Sequence, residues 1–240
     1  MFEKWLPLVV GLLLCVTTAG ASDLEASKVL RLYGPGGPHH VMEECAQIFK
    51  ERHGIKIEVL PHDLVQNIRA GGDIYYGGAE YMLEEFNGRN PGILDMTSWE
   101  NLHPRRIGLL VRKGNPLGLS GTEDLAAEGV DILDVKLERM KAFHSPFGQS
   151  LNVQRFEYTG QQGVNAWRSA PEIDAWVTYK TWHKELEQES DFIEIPGAAG
   201  LRYTPIALTS STPHRQEAIQ FITFLKSPEA RKIFEEHGWY

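Results

Sequence analysis

The sequence predicts an α/β protein built as two lobes, and three observations support this prediction. The chain has 240 residues, of which 42% are hydrophobic and 23% are charged, so it is long enough to bury the core of one large or two small domains. From Val29 onward, strand-like and helix-like runs alternate, which is typical of a mainly parallel sheet with helices on both faces. Two such series are present and the tail after them is too short for a third domain, so we expect the last strand and helices to return to the first lobe.

The first series contains strands that are followed by glycine-rich turns and helices. A helix is predicted from Pro38, because Val41, Cys45 and Ile48 follow at helical spacing and Gly54 closes the run. The strands and the second helix of this series are predicted at 29–33, 55–60, 73–76 and 77–86. The step from strand through glycine-rich loop to helix therefore occurs twice.

The second series starts with the strand-like segment 105–116, which ends in a turn. Further strand-like or helix-like segments are predicted at 130–135, 144–150, 156–167, 173–179, 191–196 and 202–209. Two helices close the chain, and the second one is predicted to begin at Ser227 and Pro228, a cap residue followed by proline at the first helical position.

The first 21 residues have the features of a secretory signal peptide. Lys4 precedes the apolar run 5–16, and Ala19 and Ala21 form the small-x-small pattern of a cleavage site. The apolar run falls short of the roughly 20 residues that span a bilayer. We therefore expect an exported, periplasmic protein that is cleaved after Ala21.

The two cysteines predict neither a lipid anchor nor a disulfide. Leu14 precedes Cys15, where a lipoprotein signal has a small side chain, so we expect no lipid. Cys15 would leave with the signal peptide and Cys45 would remain alone, which excludes an intramolecular disulfide in the mature chain.

The charge balance restricts the partners. Lys and Arg number 24 against 32 Asp and Glu, which gives a net charge of -8. A chain of this charge repels a phosphate backbone and an anionic membrane, so we expect no nucleic-acid partner. Any anion must be captured by a local arrangement of donors, and no cofactor is expected.

Several segments resemble one family of proteins. The chain is similar to the type II periplasmic solute-binding proteins of the molybdate/sulfate group, and more narrowly to their accessory colonization factor AcfC branch. The segments that carry the resemblance are YGPGGPHHV (33–41), YGGAEYML (76–83), KGNP (113–116), IDAWVTYKTWH (173–183) and FITFLKSPEARKIFEEHGW (221–239).

This resemblance implies a fold, a function and a partner. It implies two α/β lobes that close on a ligand, joined by two hinge strands near 108–112 and 202–206. Lobe I would comprise 22–110 plus 204–240, and lobe II would comprise 111–203. The implied function is capture of a small anion for delivery to an inner-membrane ABC permease, by a protein that we expect to be a monomer.

The two glycine-rich loops favour anion capture for a physical reason. A helix N-terminus offers unpaired N–H groups and about half a positive charge, and glycine lets an anion approach the backbone. Gly36 and Gly37 precede one helix, Gly77 and Gly78 open the other, and both loops follow the carboxyl end of a strand, where ligands bind in open α/β sheets. The alternative interpretation is that these glycines only form tight turns.

His39 and His40 allow three interpretations. In the first helical turn they could donate N–H groups to an oxyanion, whose charge would favour their protonated forms. His39 with Glu43, or His40 with Glu44, also has the i, i+4 spacing of two metal ligands on one helix face. The third interpretation is an exposed, solvated pair.

The second lobe offers neutral donors at loops and helix starts. These candidates are Ser145, Gly148, Gln149, Ser150, Gln161, Gln162 and Gly163. The resemblance adds Tyr179, which lies where the molybdate-binding pattern has a tyrosine hydroxyl on the oxyanion; a place in the strand core is the alternative. Arg202, at the return hinge, is either a fixed cation for an acidic ligand or a solvated surface residue.

The ligand itself stays open. The molybdate pattern has serine hydroxyls where this chain has Gly36 or Gly37 and Gly78, so sulfate, another oxyanion or a small organic anion are alternatives. A divalent-metal receptor and a colonisation or adhesion protein on the same scaffold are further alternatives. We expect no enzyme: Ser145, His144 and Asp174 are residue types of a hydrolase triad, but the G-x-S-x-G motif is absent.

Overall fold

Residues 29–61, 65–144 and 151–240 are described by the structure, which is a computed structural model of the chain. The strands are β1 (Val29–Gly34), β2 (Lys56–Pro61), β3 (Ile74–Tyr76), β4 (Glu100–Arg112), β5 (Ile132–Val135), β6 (Val153–Glu157), β7 (Ala175–Tyr179), β8 (Ser190–Glu194) and β9 (Leu201–Leu208). The helices are α1 (His39–His53), α2 (Val65–Gly71), α3 (Glu80–Arg89), α4 (Lys141–His144), α5 (Gly160–Ser169), α6 (Lys180–Glu185), α7 (Arg215–Leu225) and α8 (Pro228–Glu236). The predicted signal peptide lies outside the described residues, and among those residues no helix is long and apolar enough to cross a bilayer.

The strands form a mixed sheet, not the mainly parallel sheet that the sequence pattern predicts. The order is β2-β1-β3-β9-β4-β7-β5-β6, with β8 also paired to β4. Pairs within each series are parallel: β1 with β2 and β3, and β5 with β6 and β7. Every described pair that involves β4 or β9 is antiparallel, because these two strands run between the series instead of following a crossover helix.

Strand β4 changes partners halfway along its length. Glu100–Arg106 pair with β9, and Ile107–Arg112 pair with β7 and β8. Strand β9 pairs with β4 through its first residues and with β3 through Ile206–Leu208. The two-lobed fold is confirmed in this sense: β4 and β9 pass between the lobes. The lobe limits at 110/111 and 203/204 stay predictions.

Each lobe has its own core on the two faces of its strands. In lobe I, α1, α7 and α8 cover one face with Phe49 and Phe221, while Tyr75 and Leu83 fill the other. In lobe II, Trp167 and Trp176 are fully buried on one face, opposite a cluster of aliphatic side chains. Packing is therefore divided between the lobes, which leaves their facing edges available for a cleft.

Local sequence signals place the helix ends close to where they are predicted. Gly54 ends α1 in the left-handed conformation, with φ of 69°, and its N–H donates to Lys50 O. Pro38 caps α1 rather than standing at its first helical position. Ser227 caps α8 by accepting from Ala230 N at 3.2 Å, and Pro228 follows as predicted. Cys45 is fully buried on α1, where burial raises the pKa of its thiol to about 12.

Candidate ligand site

A cavity of about 480 Å³ lies between the lobes. Residues from both lobes line it: the glycine-rich loop and first turn of α1, the loop before α3, strand β4, the segment after β5, and the starts of α5 and α6. These residues are Gly34, Pro35, Gly36, Gly37, His39, His40, Pro61, Gly78, Met82, Arg105, Leu137, Glu138, Thr159, Gly160, Gln161, Tyr179 and Trp182. A second cavity of about 470 Å³ shares the loop before α1 and the starts of α5 and α6 with it, and extends toward the C-terminal residues His237 and Trp239.

Arg105 is the buried cation among the described residues that line this cavity, and it is not one of the residues predicted from the sequence. It lies on β4 two residues before Ile107, where the partner change starts, and it is only 3% exposed. Its Nη2 donates to the carbonyl oxygen of Gly78, and its guanidinium carbon lies 3.8 Å from the centroid of the Tyr179 ring. Its Nε is buried and has no hydrogen-bond partner among the described residues. A buried guanidinium therefore lies at the cavity, and its Nε has no acceptor among the described residues.

The two glycine-rich loops surround this guanidinium. A Cβ added at Gly37 would lie 3.5 Å from Arg105 Nη1, and one at Gly78 would lie 3.5 Å from Nη2. Any larger side chain at these positions would crowd the guanidinium. The loops thus have a role that the sequence did not show, because they hold a buried cation as well as preceding the helices. Gly36 differs, since a Cβ there would meet nothing within 4 Å and would extend into open space.

Among the helices that begin at the cavity, α1 belongs to lobe I and α5 to lobe II. The first turn of α1 contributes His39 and His40, and Thr159 and Gly160 begin α5 on the other side. Thr159 caps α5 through a reciprocal pair with Gln162, whose N–H donates to Thr159 Oγ1 at 3.2 Å. The N–H groups and the dipole at each helix start favour negative charge in the space between them.

Glu138 adds a buried carboxyl group to the cavity wall. It follows β5 in a short 3-10 turn and is 5% exposed. Thr178 Oγ1 donates to its Oε2 at 2.7 Å, and Trp182 Nε1 donates to its Oε1 at 2.5 Å. Burial raises the pKa of Glu138 to about 7, although both hydrogen bonds and the charge of Arg105 favour the ionised form.

Tyr179 lies both at the cavity and in the strand core, the two positions that the sequence leaves open for it. It ends β7, is 2% exposed and packs in the lobe II core, yet it also lines the cavity. Its hydroxyl is buried and makes no hydrogen bond of standard geometry with the described residues; the neighbouring Tyr81 hydroxyl donates to Leu137 O instead. Burial raises the pKa of Tyr179, so the hydroxyl stays protonated near neutral pH and can act as a donor.

The histidine pair faces the cavity but differs in exposure. The His39 side chain is 27% exposed and the His40 side chain is 83% exposed, and both lie within 3.5 Å of Glu43. The i, i+4 pair of His40 with Glu44 does not form, because Glu44 contacts His237 Nε2 at 2.8 Å. Within the described ranges, no three His, Cys, Asp or Glu side chains are grouped as metal ligands.

The remaining predicted residues fall into three sets. Gly36, Gly37, Gly78, Gln161 and Tyr179 line the cavity together with the histidines. Gly77, Gln162 and Gly163 do not line it: Gly77 N–H donates to Pro205 O at 2.8 Å, Gln162 caps α5, and Gly163 packs against Trp176. Ser145, Gly148, Gln149 and Ser150 lie outside the described residues, so their assignment stays a prediction. Arg202 donates to the carbonyl groups of Ala199 and Leu201 and is not among the lining residues.

Only indirect signals in the sequence point to the residues that were missed. Arg105 opens the predicted strand-like run 105–116, just before the expected hinge near 108–112, and a buried cation is unusual in such a run. Glu138 stands in a polar stretch, KLER, with no pattern that indicates burial. Its burial depends on Thr178 and Trp182, which are 40 and 44 residues away.

Comparison with known sequences identifies the family. The profile described as bacterial extracellular solute-binding protein matches residues 30–152 and 148–240, which is nearly the whole described chain. The chain belongs to this family. A search of curated proteins found no match.

Solved structures of solute-binding proteins share the fold. PEB3 of Campylobacter jejuni, in a structure with bound L-phospholactate, has a TM-score of 0.72 and 22% identity over 88% of this chain and 98% of its own. The sulfate-binding protein SubI of Mycobacterium tuberculosis has a TM-score of 0.69 and 14% identity over 88% and 86% of the two chains. Iron-bound HitA of Pseudomonas aeruginosa has a TM-score of 0.67 and 18% identity over 89% and 86%. The narrower resemblance to the AcfC branch stays a prediction.

Proposed function

We propose that this solute-binding protein captures a small anion between its lobes in the periplasm and delivers it to an ABC permease. The observation that carries the proposal is Arg105. A buried guanidinium loses its hydration, and here one of its nitrogens, Nε, has no partner among the described residues. An anion in the cavity would supply the missing acceptor and the opposite charge.

The backbone around Arg105 supports the same ligand class. The starts of α1 and α5 contribute N–H groups and partial positive charge from opposite lobes. The Tyr179 hydroxyl is a second buried donor at the cavity, next to the Tyr81 hydroxyl. A ligand held by donors from both lobes stabilises their closed arrangement, which is how binding would be coupled to recognition by a permease.

The relatives are compatible with an anion and also with a metal. PEB3 holds L-phospholactate and SubI is a sulfate-binding protein, whereas HitA holds iron. In this chain the described side chains at the cavity bring one buried cation and one carboxyl group, not a set of three or more metal ligands. The anion is therefore the better supported ligand.

Isothermal titration calorimetry on residues 22–240 tests the proposal. The panel contains sulfate, molybdate, phosphate, small mono- and dicarboxylates, phosphorylated carboxylates and divalent metals. We expect at least one anion to bind, and Arg105→Gln to weaken it by about 10-fold or more, as for the loss of a hydrogen bond to a charged group. Arg231→Gln is the matched control, since it removes one positive charge from the exposed face of α8.

A loss of anion affinity is interpreted only for variants that are shown to be folded. Circular dichroism and thermal unfolding show whether Arg105→Gln is folded, and Arg105→Lys provides a second variant that keeps the charge but loses the guanidinium geometry. Binding of divalent metals alone, or equal anion affinity in the wild type and both Arg105 variants, would contradict the proposal.

A further inference from the structure

The cavity contains a hydrogen-bond acceptor as well as donors. Glu138 is 5% exposed and lines the cavity, and each of its carboxylate oxygens accepts one described hydrogen bond, from Trp182 and Thr178. Trp176 Nε1 also acts on this carboxylate, outside standard hydrogen-bond geometry. A carboxylate has about four acceptor positions, so Glu138 keeps acceptor capacity. Arg105 Nε is a complementary donor without a described partner, and the Tyr179 hydroxyl, which neighbours the Tyr81 hydroxyl, is a second donor.

This arrangement discriminates between kinds of anion. An anion without a proton, such as sulfate or molybdate, brings only acceptors to a cavity that also holds a buried carboxylate, and the two negative charges repel each other with little screening. An anion that carries a hydroxyl or an acid proton can donate to Glu138 while its charged oxygens accept from Arg105. The repulsion then becomes a hydrogen bond to a charged group.

We propose that Glu138 is a specificity-determining acceptor, through which the protein selects small anions that carry a hydrogen-bond donor of their own. This inference rests on the proposed anion site. The class comprises hydroxy acids and acid phosphates, which share one feature: a donor next to a negatively charged oxygen. Fully deprotonated oxyanions are the excluded class.

The charge state of Glu138 gives a second signature. Its pKa of about 7 means that a donor-free anion binds well only when Glu138 has taken up a proton, so its affinity should fall about 10-fold per pH unit above pH 7. The groups that face Glu138 are Arg105 on β4, Tyr179 on β7 and Tyr81 on α3. His39 and His40 on α1 are further titratable groups that line the same cavity, so both are controlled for.

Matched ligand pairs test this selection by calorimetry. Phosphate is compared with sulfate, and malate with succinate, which lacks the hydroxyl. We expect the donor-bearing member of at least one pair to bind 10-fold or more tightly in the wild type, and Glu138→Gln to reduce that ratio to about 3-fold or less. A preference in the phosphate pair alone assigns the acid proton as the donor, and one in the malate pair assigns the hydroxyl.

Glu138→Gln keeps the shape of the cavity. The glutamine oxygen can still accept from Trp182 Nε1, and its amide group can donate to Thr178 Oγ1, whose hydroxyl rotates. Glu80→Gln is the matched control: Glu80 is a partly buried carboxyl at the start of α3 that accepts from Tyr203 N and does not line the cavity. It should leave the ratios unchanged.

The pH arm does not depend on the Glu138 variant being folded. Sulfate and phosphate are titrated from pH 6 to 8.5 against the wild type and the His39→Gln, His40→Gln double variant. We expect the sulfate affinity to fall more steeply with pH than the phosphate affinity in both proteins. Equal slopes in both proteins would overturn the inference.

The outcomes separate this inference from the proposed function. If no anion binds the wild type, the anion site is refuted and the selection by Glu138 with it. If anions bind through Arg105 but neither pair shows a preference, or the ratios survive in Glu138→Gln, only the inference is overturned.

Discussion

At the scale of single residues, three side chains define what the cavity can do. Arg105 supplies a fixed positive charge, Glu138 supplies an acceptor whose proton content changes near neutral pH, and Tyr179 supplies a neutral donor. All three are at least 95% buried, so each is costly to leave unpaired and each has an effect that a variant can isolate.

The first prediction concerns Glu138 and the pH dependence of stability. Its pKa is 4.5 in an unfolded chain and about 7 in the folded protein, so the folded state holds a proton that the unfolded state has released between these values. Stability should therefore fall by about 3 kcal/mol as the pH rises from about 4.5 to 7, and level off above. Urea unfolding at pH 5 and pH 8 should show a smaller loss in Glu138→Gln. The same loss in both proteins would argue against the raised pKa.

The second prediction concerns the Tyr179 hydroxyl. Tyr179→Phe removes a buried hydroxyl that interacts with the Tyr81 hydroxyl outside standard hydrogen-bond geometry, so the free energy of unfolding of the ligand-free protein should change by no more than about 1 kcal/mol. Anion affinity should fall, with no change in its pH slope, because the hydroxyl is neutral throughout the range. Calorimetry and urea unfolding measure the two quantities. Lower stability with unchanged affinity would show that the residue acts in the core alone.

At the scale of elements, the site depends on how α1 and α5 begin. Both helices start at glycine-containing loops, but the glycines have different surroundings. A Cβ at Gly36 would meet nothing within 4 Å, whereas one at Gly160 would lie 2.3 Å from the Trp182 ring. One position thus borders ligand space and the other borders protein.

The third prediction follows from this contrast. Gly36→Ala should leave the free energy of unfolding unchanged or raise it slightly, and should weaken anion binding, because its methyl group enters the cavity beside α1. Gly160→Ala should destabilise the protein by roughly 1–3 kcal/mol, because the Trp182 ring must move. Urea unfolding and calorimetry on both variants check this. Unchanged affinity in Gly36→Ala would show that the ligand does not reach the start of α1.

The elements also show what sequence reasoning can and cannot provide. Helix α1 and the cap of α8 follow local rules, and they were predicted within a residue or two. Strand β4 begins at Glu100 instead of 105, because its first residues, which include Pro104, form a strand only by pairing with β9 about 100 residues later. Helix α2 (Val65–Gly71) was missed, since its short, polar sequence has little helical periodicity.

The site residues divide in the same way, into those that local sequence predicts and those that depend on distant segments. The glycine-rich loops, the histidines, Gln161 and Tyr179 were found because they stand in patterns or in a resemblance. Arg105 and Glu138 were missed because their burial is created by distant segments: the guanidinium by Gly37, Gly78 and Tyr179, and the carboxyl by lobe II strands and helices. Gly77 and Gln162 show the opposite error: they were predicted to bind the ligand, but their hydrogen bonds are made within the protein, to Pro205 and Thr159.

At the scale of the whole molecule, the described connection between the lobes runs through β4 and β9. Strand β4 carries Arg105, and β9 carries Pro205, whose carbonyl oxygen accepts a hydrogen bond from Gly77 N–H. A bend of these strands would change the distance between α1 and α5 while leaving each lobe core intact.

The fourth prediction is therefore a closure of the lobes on the ligand. Small-angle X-ray scattering should show a smaller radius of gyration when a binding anion is added, with a parallel change in tryptophan fluorescence, since Trp182 lines the cavity. Arg105→Gln at the same anion concentration should show neither change. A contraction of equal size in that variant would show that closure of the lobes does not depend on Arg105, which contradicts the prediction.

Capture of an anion by Arg105 between the lobes is tested most directly by a crystal structure of residues 22–240 grown with the tightest-binding anion of the panel. We expect the anion in the cavity, within hydrogen-bond distance of Arg105 Nε and of backbone N–H groups at the starts of α1 and α5, with the Tyr179 hydroxyl donating to it. An anion bound elsewhere, or one in the cavity that leaves Arg105 Nε without a contact, would contradict the assignment.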